Sequence, residues 1–219
     1  MMKIKYSIPI LLLIMLGCKK ENSESKTVFP VNMYLEKAEI ISDTKVYTKG
    51  GQLNDLQKTT ELMWIYTRYF SLEQNLENVG QQYLSLISKD SVTFFNMHSP
   101  YVIQRTGDRL IMTSAIQFIA SKPMLPDQLY HHVARYQNIK SEGDTEISRD
   151  VRLAYGNGFS ELKIPAFAYV TSSRIEGPVS GLNRRGGLVI NEFNEEVLKR
   201  IGERDTIIVK TYSLTVKAR

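Results

Sequence analysis

Residues 91–118 read SVTFFNMHSPYVIQRTGDRLIMTSAIQF. Ser91–Asn96, Tyr101–Arg105 and Arg109–Phe118 are short runs rich in β-branched and aromatic residues, and Thr106-Gly107-Asp108 punctuates the last two as a turn. The same grammar continues downstream. Leu162–Ser172 reads as a strand whose Pro165 places it at an edge or a strand start, because proline has no N–H to give to a ladder. In Asp205–Val216, Ile208, Lys210, Tyr212, Leu214 and Val216 recur at period two and form one face. Ser141-Glu142-Gly143-Asp144 and Gly156-Asn157-Gly158 are turns, and Leu129–Ile139 is open between helix and strand. Arg174–Gly187 holds five glycines and prolines and reads as a surface loop. Asn194–Ile201 reads as a short helical turn with Val197, Leu198 and Ile201 on one side.

Upstream of residue 91 the pattern is mixed. Val31–Tyr47 contains strand-like alternation, and Gly50-Gly51 breaks it. From Leu53 to Ile87 the period changes: Leu72, Leu76, Val79, Tyr83 and Leu86 step by three and four, the spacing of one helical face. Leu53, Leu56, Met63, Tyr66 and Phe70 suit an earlier helix, against a buried strand at Leu62–Tyr66. The expected class is α+β, with an N-terminal helical segment followed by a mostly antiparallel sheet. The expected organisation is a strand/helix region over 27–90 and a β-rich domain over 91–219.

The first residues carry a different signal. Lys3 and Lys5 form a basic start, and Ile8–Leu16 is an apolar run too short to cross a hydrocarbon core of about 30 Å as a helix. This is the order of a secretory signal peptide over residues 1–17. Its end, Met15-Leu16-Gly17-Cys18, resembles a bacterial lipobox, which implies cleavage before Cys18 and acylation of that residue. Residues 18–26 continue as a polar tether without an apolar side chain beyond the cysteine. The expected partner is therefore a lipid bilayer, bound through acylated Cys18, with the domain held in the cell envelope, on the outer membrane, facing the periplasm or the outside.

Composition excludes several classes. The 219-residue chain is 42% hydrophobic and 23% charged, ordinary globular usage, and its single cysteine permits no internal disulfide. Removing Lys3 and Lys5 lowers the net charge from +5 to +3, too small a bias to call for nucleic acid. His131-His132 are adjacent and diverge on either a helix or a strand, and His98 lies in turn-like sequence, so no zinc spacing exists and no metal is expected. Gly156-Asn157-Gly158 lacks the third glycine and the lysine of a phosphate loop, and no cofactor is expected. Arg184-Arg185 and Glu195-Glu196 read as surface charge, and Trp64, Tyr66, Tyr69 and Phe70 as core.

One stretch adds a family likeness. Gly158-Phe159-Ser160-Glu161-Leu162-Lys163-Ile164-Pro165-Ala166-Phe167-Ala168-Tyr169 resembles the FKBP-type prolyl isomerases, where a glycine precedes the proline of an Ile-Pro pair by seven positions. Gly107-Asp108-Arg109-Leu110-Ile111-Met112 is similar to the opening of that family's first long strand, and Ile201–Val209 to its last, so the likeness spans residues 92–217. It implies a twisted antiparallel half-barrel closed over a short helix, with a different β-barrel as the alternative. It also implies Tyr169 as the catalytic hydroxyl, with Ile164 in the pocket wall. Ile147 falls where the family has its floor tryptophan, and Val209 where it has a phenylalanine. A dry pocket that accepts the twisted X-Pro amide better than the planar one would lower a barrier of about 18–20 kcal/mol.

Two functions follow. The leading expectation is a membrane-anchored FKBP-like lipoprotein, a weak or degenerate prolyl isomerase or chaperone for exported proteins. The alternative is a non-enzymatic β-rich lipoprotein that binds an apolar ligand or an envelope protein.

Overall fold

The computed structural model describes residues 27–55, 57–61, 64, 79–95, 97, 99–121, 133, 136–142, 145–175 and 181–219. The expected signal peptide, Cys18 and its tether lie outside these residues, as do His98, His131 and His132 and most of the expected helical segment. Residues 57–61 and Trp64 are helical.

The described chain is dominated by antiparallel strands: β1 Val31–Thr48, β2 Gly51–Gln52, β3 Gln82–Ser88, β4 Ser91–Phe94, β5 Tyr101–Thr106, β6 Arg109–Ser121, β7 Tyr136–Glu142, β8 Thr145–Tyr155, β9 Glu161–Ile175, β10 Gly181–Val189 and β11 Thr206–Ala218. Pairing runs β9-β11-β1-β3-β4-β5-β6-β8, and β8 returns to β9 through Tyr155 opposite Lys163. Eight strands thus close a barrel, the alternative to an open half-barrel. The expected boundary near residue 90 runs through this sheet, since β1 pairs with β11 and β3 with β4.

Register explains the core. Directly opposed residues of neighbouring strands share a face, and the opposed pairs Met33–Leu84, Leu86–Val92, Ile103–Met112, Leu110–Ala154, Ile164–Leu214 and Leu162–Val216 join into one buried cluster. This is the barrel interior. Several outward positions are polar: Ser85 opposes Thr93, Glu39 opposes Ser213, and Lys163 opposes Thr215. The packed apolar interior is the reverse of the polar lumen of a membrane barrel. Among the described residues, no helix is long and apolar enough to cross a membrane.

Several expectations are corrected here. Tyr83 and Leu86 belong to strand β3, not to a helix, because Leu84 and Leu86 both enter the interior between β1 and β4. Arg174–Gly187 is not a surface loop at its ends: Ile175 and Gly181 open a ladder that continues to Phe167 and Val189. The expected face of β11 holds. Ile208, Tyr212, Leu214 and Val216 are all in the interior cluster, and Lys210 shares their face with its Nζ 5.7 Å from the Tyr212 ring centroid. Pro165 sits in β9 between the contact to β8 at Lys163 and the start of the β10 ladder at Phe167, where its missing N–H breaks no bond.

Candidate functional site

A second apolar cluster lies on the outer face of the barrel. After β10 the chain turns back over β9 and β11 through residues 190–205. Its 3-10 helix, Glu195–Arg200, is capped by the Asn194 side chain, which accepts from the Glu196 N–H. Val197 and Ile201 are buried against Phe167, Ile207 and Val209, and Phe193 meets the Phe167 ring edge-on with centroids 5.4 Å apart. Val197 and Ile201 were legible as the buried side of this turn; the surface they cover was not.

The same arch closes the seam of the barrel. β8 and β9 meet at a single ladder pair and then part, β8 pairing with β7 and β9 with β10. Asn191, 2% exposed, spans the opening: its side-chain amide donates to the Val151 carbonyl, and its Oδ1 accepts the Glu192 N–H at 2.9 Å. Tyr155 donates its hydroxyl to Glu192.

Between this arch and β1 the outer face carries a cleft of about 510 Å³. Val209, Thr211, Ser213 and Pro165 form its floor, Tyr155, Glu192, Phe193 and Glu195 one wall, and Ile41, Ser42, Lys45 and Tyr47 the other. Ser42 and Thr211 share a hydrogen bond of 2.7 Å across the floor. Burial, and then the nearby Glu195 carboxylate, push the Tyr47 phenol above its ordinary value. β1 is irregular beside the cleft, with register shifts between Ile40 and Ser42 and between Ser42 and Lys45. There Ile40 and Ile41 stand 55% and 65% exposed. Bulges of this kind re-aim side chains and are over-represented beside functional sites.

The residues expected from the family likeness are divided by the strands that carry them. Tyr169 and Val209 are direct partners on the outer face, both in the cluster under the arch. Ile164 is fully buried in the barrel interior, on the opposite face of β9 from Tyr169. Ile147 is half-buried on β8, opposite Ile119 of β6 and Lys140 of β7, and belongs to neither cluster. Only Val209 of these four lines the cleft.

A charged network reaches into the interior. Arg152 opposes Met112 and therefore faces inward. Its guanidinium lies 4.4 Å from the Phe94 ring centroid, and its Nε reaches Asp150 Oδ2 at 3.1 Å. Tyr101 donates to the same carboxylate oxygen at 2.7 Å. This network is satisfied by its own members and reads as a structural plug. Among the described residues, no group of His, Cys, Asp and Glu side chains has the arrangement to hold a metal ion.

Comparison of the chain with known protein families, with curated proteins and with solved structures finds no match.

Proposed function

We propose that this chain is a lipid-anchored cell-envelope protein whose barrel is a binding module, holding an apolar ligand or an envelope protein in the outer cleft rather than catalysing a reaction. The cleft carries the reading: it is open, four of its eight wall residues are aromatic or aliphatic, and the isoleucines Ile40 and Ile41 at its lip are left in water. Ligand sites are typically concavities of this size, apolar with a few placed polar groups. The anchor rests on the order of residues 1–18 in the sequence. A prolyl isomerase would need Tyr169 and Ile164 in one pocket, and they face opposite sides of β9.

Two measurements test this. Labelled palmitate should enter the wild-type chain in a diderm bacterial host and be absent from Cys18→Ala, which should leave the membrane fraction. Label retained by Cys18→Ala would remove the anchor. A short X-Pro peptide should isomerise at its spontaneous rate in the presence of the protein. Acceleration that Tyr169→Phe abolishes would restore the isomerase reading.

A further inference from the structure

We propose that Asn157, in the turn between β8 and β9, is a self-modification site: without an enzyme it loses its side-chain amide as ammonia and becomes aspartate or isoaspartate. Asn157-Gly158 is the sole Asn-Gly pair in the sequence. The step is intramolecular. The Gly158 backbone nitrogen, its proton taken by hydroxide, attacks Asn157 Cγ. An N–Cγ bond forms, the Cγ–Nδ2 bond breaks, and the amide nitrogen leaves as ammonia with a proton from water. Water then opens the cyclic imide. Breaking the new N–Cγ bond leaves aspartate in the original main chain. Breaking the older bond, from the Gly158 nitrogen to the Asn157 carbonyl carbon, leaves isoaspartate. In sum a water is consumed and an ammonia released, with no redox change.

The turn leaves this step open. Asn157 is exposed, and among the described residues neither its side chain nor the Gly158 N–H has a hydrogen bond. The nucleophile therefore breaks no internal bond when it gives up its proton, as a ladder N–H would. Gly158 has nothing within 4 Å of the place a Cβ would take, so the ring closes without meeting a neighbour. The bonds that hold the turn act on other atoms. The Gly156 N–H donates to the Asp108 carbonyl at 2.7 Å, and the Ser160 carbonyl accepts from the Ala218 N–H at 2.9 Å. Arg105 donates to the Gly156 carbonyl at 3.0 Å and to the Gly158 carbonyl at 3.3 Å, both exposed. Water can replace such bonds at little cost, and the guanidinium charge beside the peptide favours the anionic nitrogen.

The two products act differently on the barrel. Aspartate adds a negative charge near Arg105 and keeps the main chain as it was. Isoaspartate adds a methylene to the main chain between Gly156 and Gly158, whose carbonyls Arg105 bridges, so the guanidinium no longer spans both. Gly156 offers no slack, since a Cβ there would already stand 2.6 Å from the Glu161 carbonyl oxygen. The displacement therefore reaches Tyr155 and Lys163, the single ladder pair that joins β8 to β9. The isoaspartate form is the less stable of the two.

The test ages the full chain and the blocked peptide acetyl-Tyr-Gly-Asn-Gly-Phe-Ser-amide side by side in heavy-oxygen water. Mass spectrometry of the digested chain follows ammonia loss and oxygen uptake at Asn157. The native rate should lie within about tenfold of the peptide's, a barrier difference of about 1.4 kcal/mol, and should rise with pH. Gly158→Ala has room for its methyl, so circular dichroism should match wild type, while ammonia loss slows by about tenfold or more because the methyl crowds the attacking nitrogen. The isoaspartate form, separated by chromatography, should unfold at a lower urea concentration than Asn157→Asp, which carries the same charge on an unlengthened chain. A native rate more than about tenfold below the peptide's, or equal rates in wild type and Gly158→Ala, would overturn the site. Equal urea midpoints for the isoaspartate form and Asn157→Asp would overturn its link to the barrel seam.

Discussion

Gly156 shows how tightly the turn between β8 and β9 is drawn. Its N–H donates to the Asp108 carbonyl at 2.7 Å. A Cβ there would stand 2.6 Å from the Glu161 carbonyl oxygen and 2.9 Å from Leu162 Cδ2, with backbone as the unyielding neighbour. Gly156→Ala should therefore cost about 1–3 kcal/mol, the usual range for overpacking. Gly158→Ala, with nothing within 4 Å of the added carbon, should be close to neutral. Urea midpoints of the two variants measure the difference, and equal midpoints would mean that the turn relaxes freely. Tyr101 makes a second prediction. Burial first, and then its hydrogen bond to Asp150, push its phenol up to about 12 from an ordinary value of 10.0. A folded value above the unfolded one means that the stabilisation is complete below about pH 10 and lost as pH rises through about 12. Tyr83 is raised in the same direction, also by burial, so the loss is shared. Between about pH 8 and about pH 11 the wild type should lose more stability than Tyr101→Phe. Parallel losses would show that Tyr101 does not drive the alkaline transition.

At the scale of elements, what could be read from the sequence divides by how much of an element's environment is local. β11 was legible because its interior face repeats every second residue. Its outer Ile207 and Val209 are also buried, since the 3-10 helix covers them, and no pattern within β11 announces that cover. β3 was read as the end of a helix because Val79, Tyr83 and Leu86 fit helical steps; in so short a segment Leu84 and Leu86 fit a strand equally well. The partners decide: Leu84 lies between Met33 and Phe94, and Leu86 between Val31 and Val92. Around β10 the glycines and proline suggested a loop, yet Gly186 and Gly187 oppose Val170 and Tyr169 within the ladder. The cleft was the least legible feature. Its walls come from residues 41–47, 155, 163–166, 191–195 and 209–213, which only the barrel's closure brings together. Tyr169 was singled out from its neighbours in sequence, and those neighbours could not tell which face of β9 it would take.

At the scale of the molecule, the order of strands makes the barrel one folding unit. β1 stands between β11 and β3, so the first strand of the domain seals the last, with Met33 opposite Ala218. This pairing closes a loop of nearly the whole described chain, and such non-local contacts make folding slow rather than modular. A fragment of residues 91–219 lacks β1 and β3, two of the eight barrel strands. It would leave Leu214 and Val216 without β1, and Val92 and Phe94 without β3, exposing interior side chains that are buried in the intact barrel. Losing the burial of several such side chains at about 1.5–3 kcal/mol each is comparable with the whole net stability of about 5–15 kcal/mol typical of a domain. Residues 27–219 should therefore unfold cooperatively in urea at the midpoint of the full chain, and residues 91–219 should show no cooperative transition. The same argument makes the cleft a property of the whole barrel, because β1 supplies one of its walls and β11 its floor. Adding residues 27–90 as a separate chain should restore the transition if strand pairing alone is missing. A cooperative transition in residues 91–219 by themselves would show that the β-rich part closes without β1 and would remove the single-unit account of the fold.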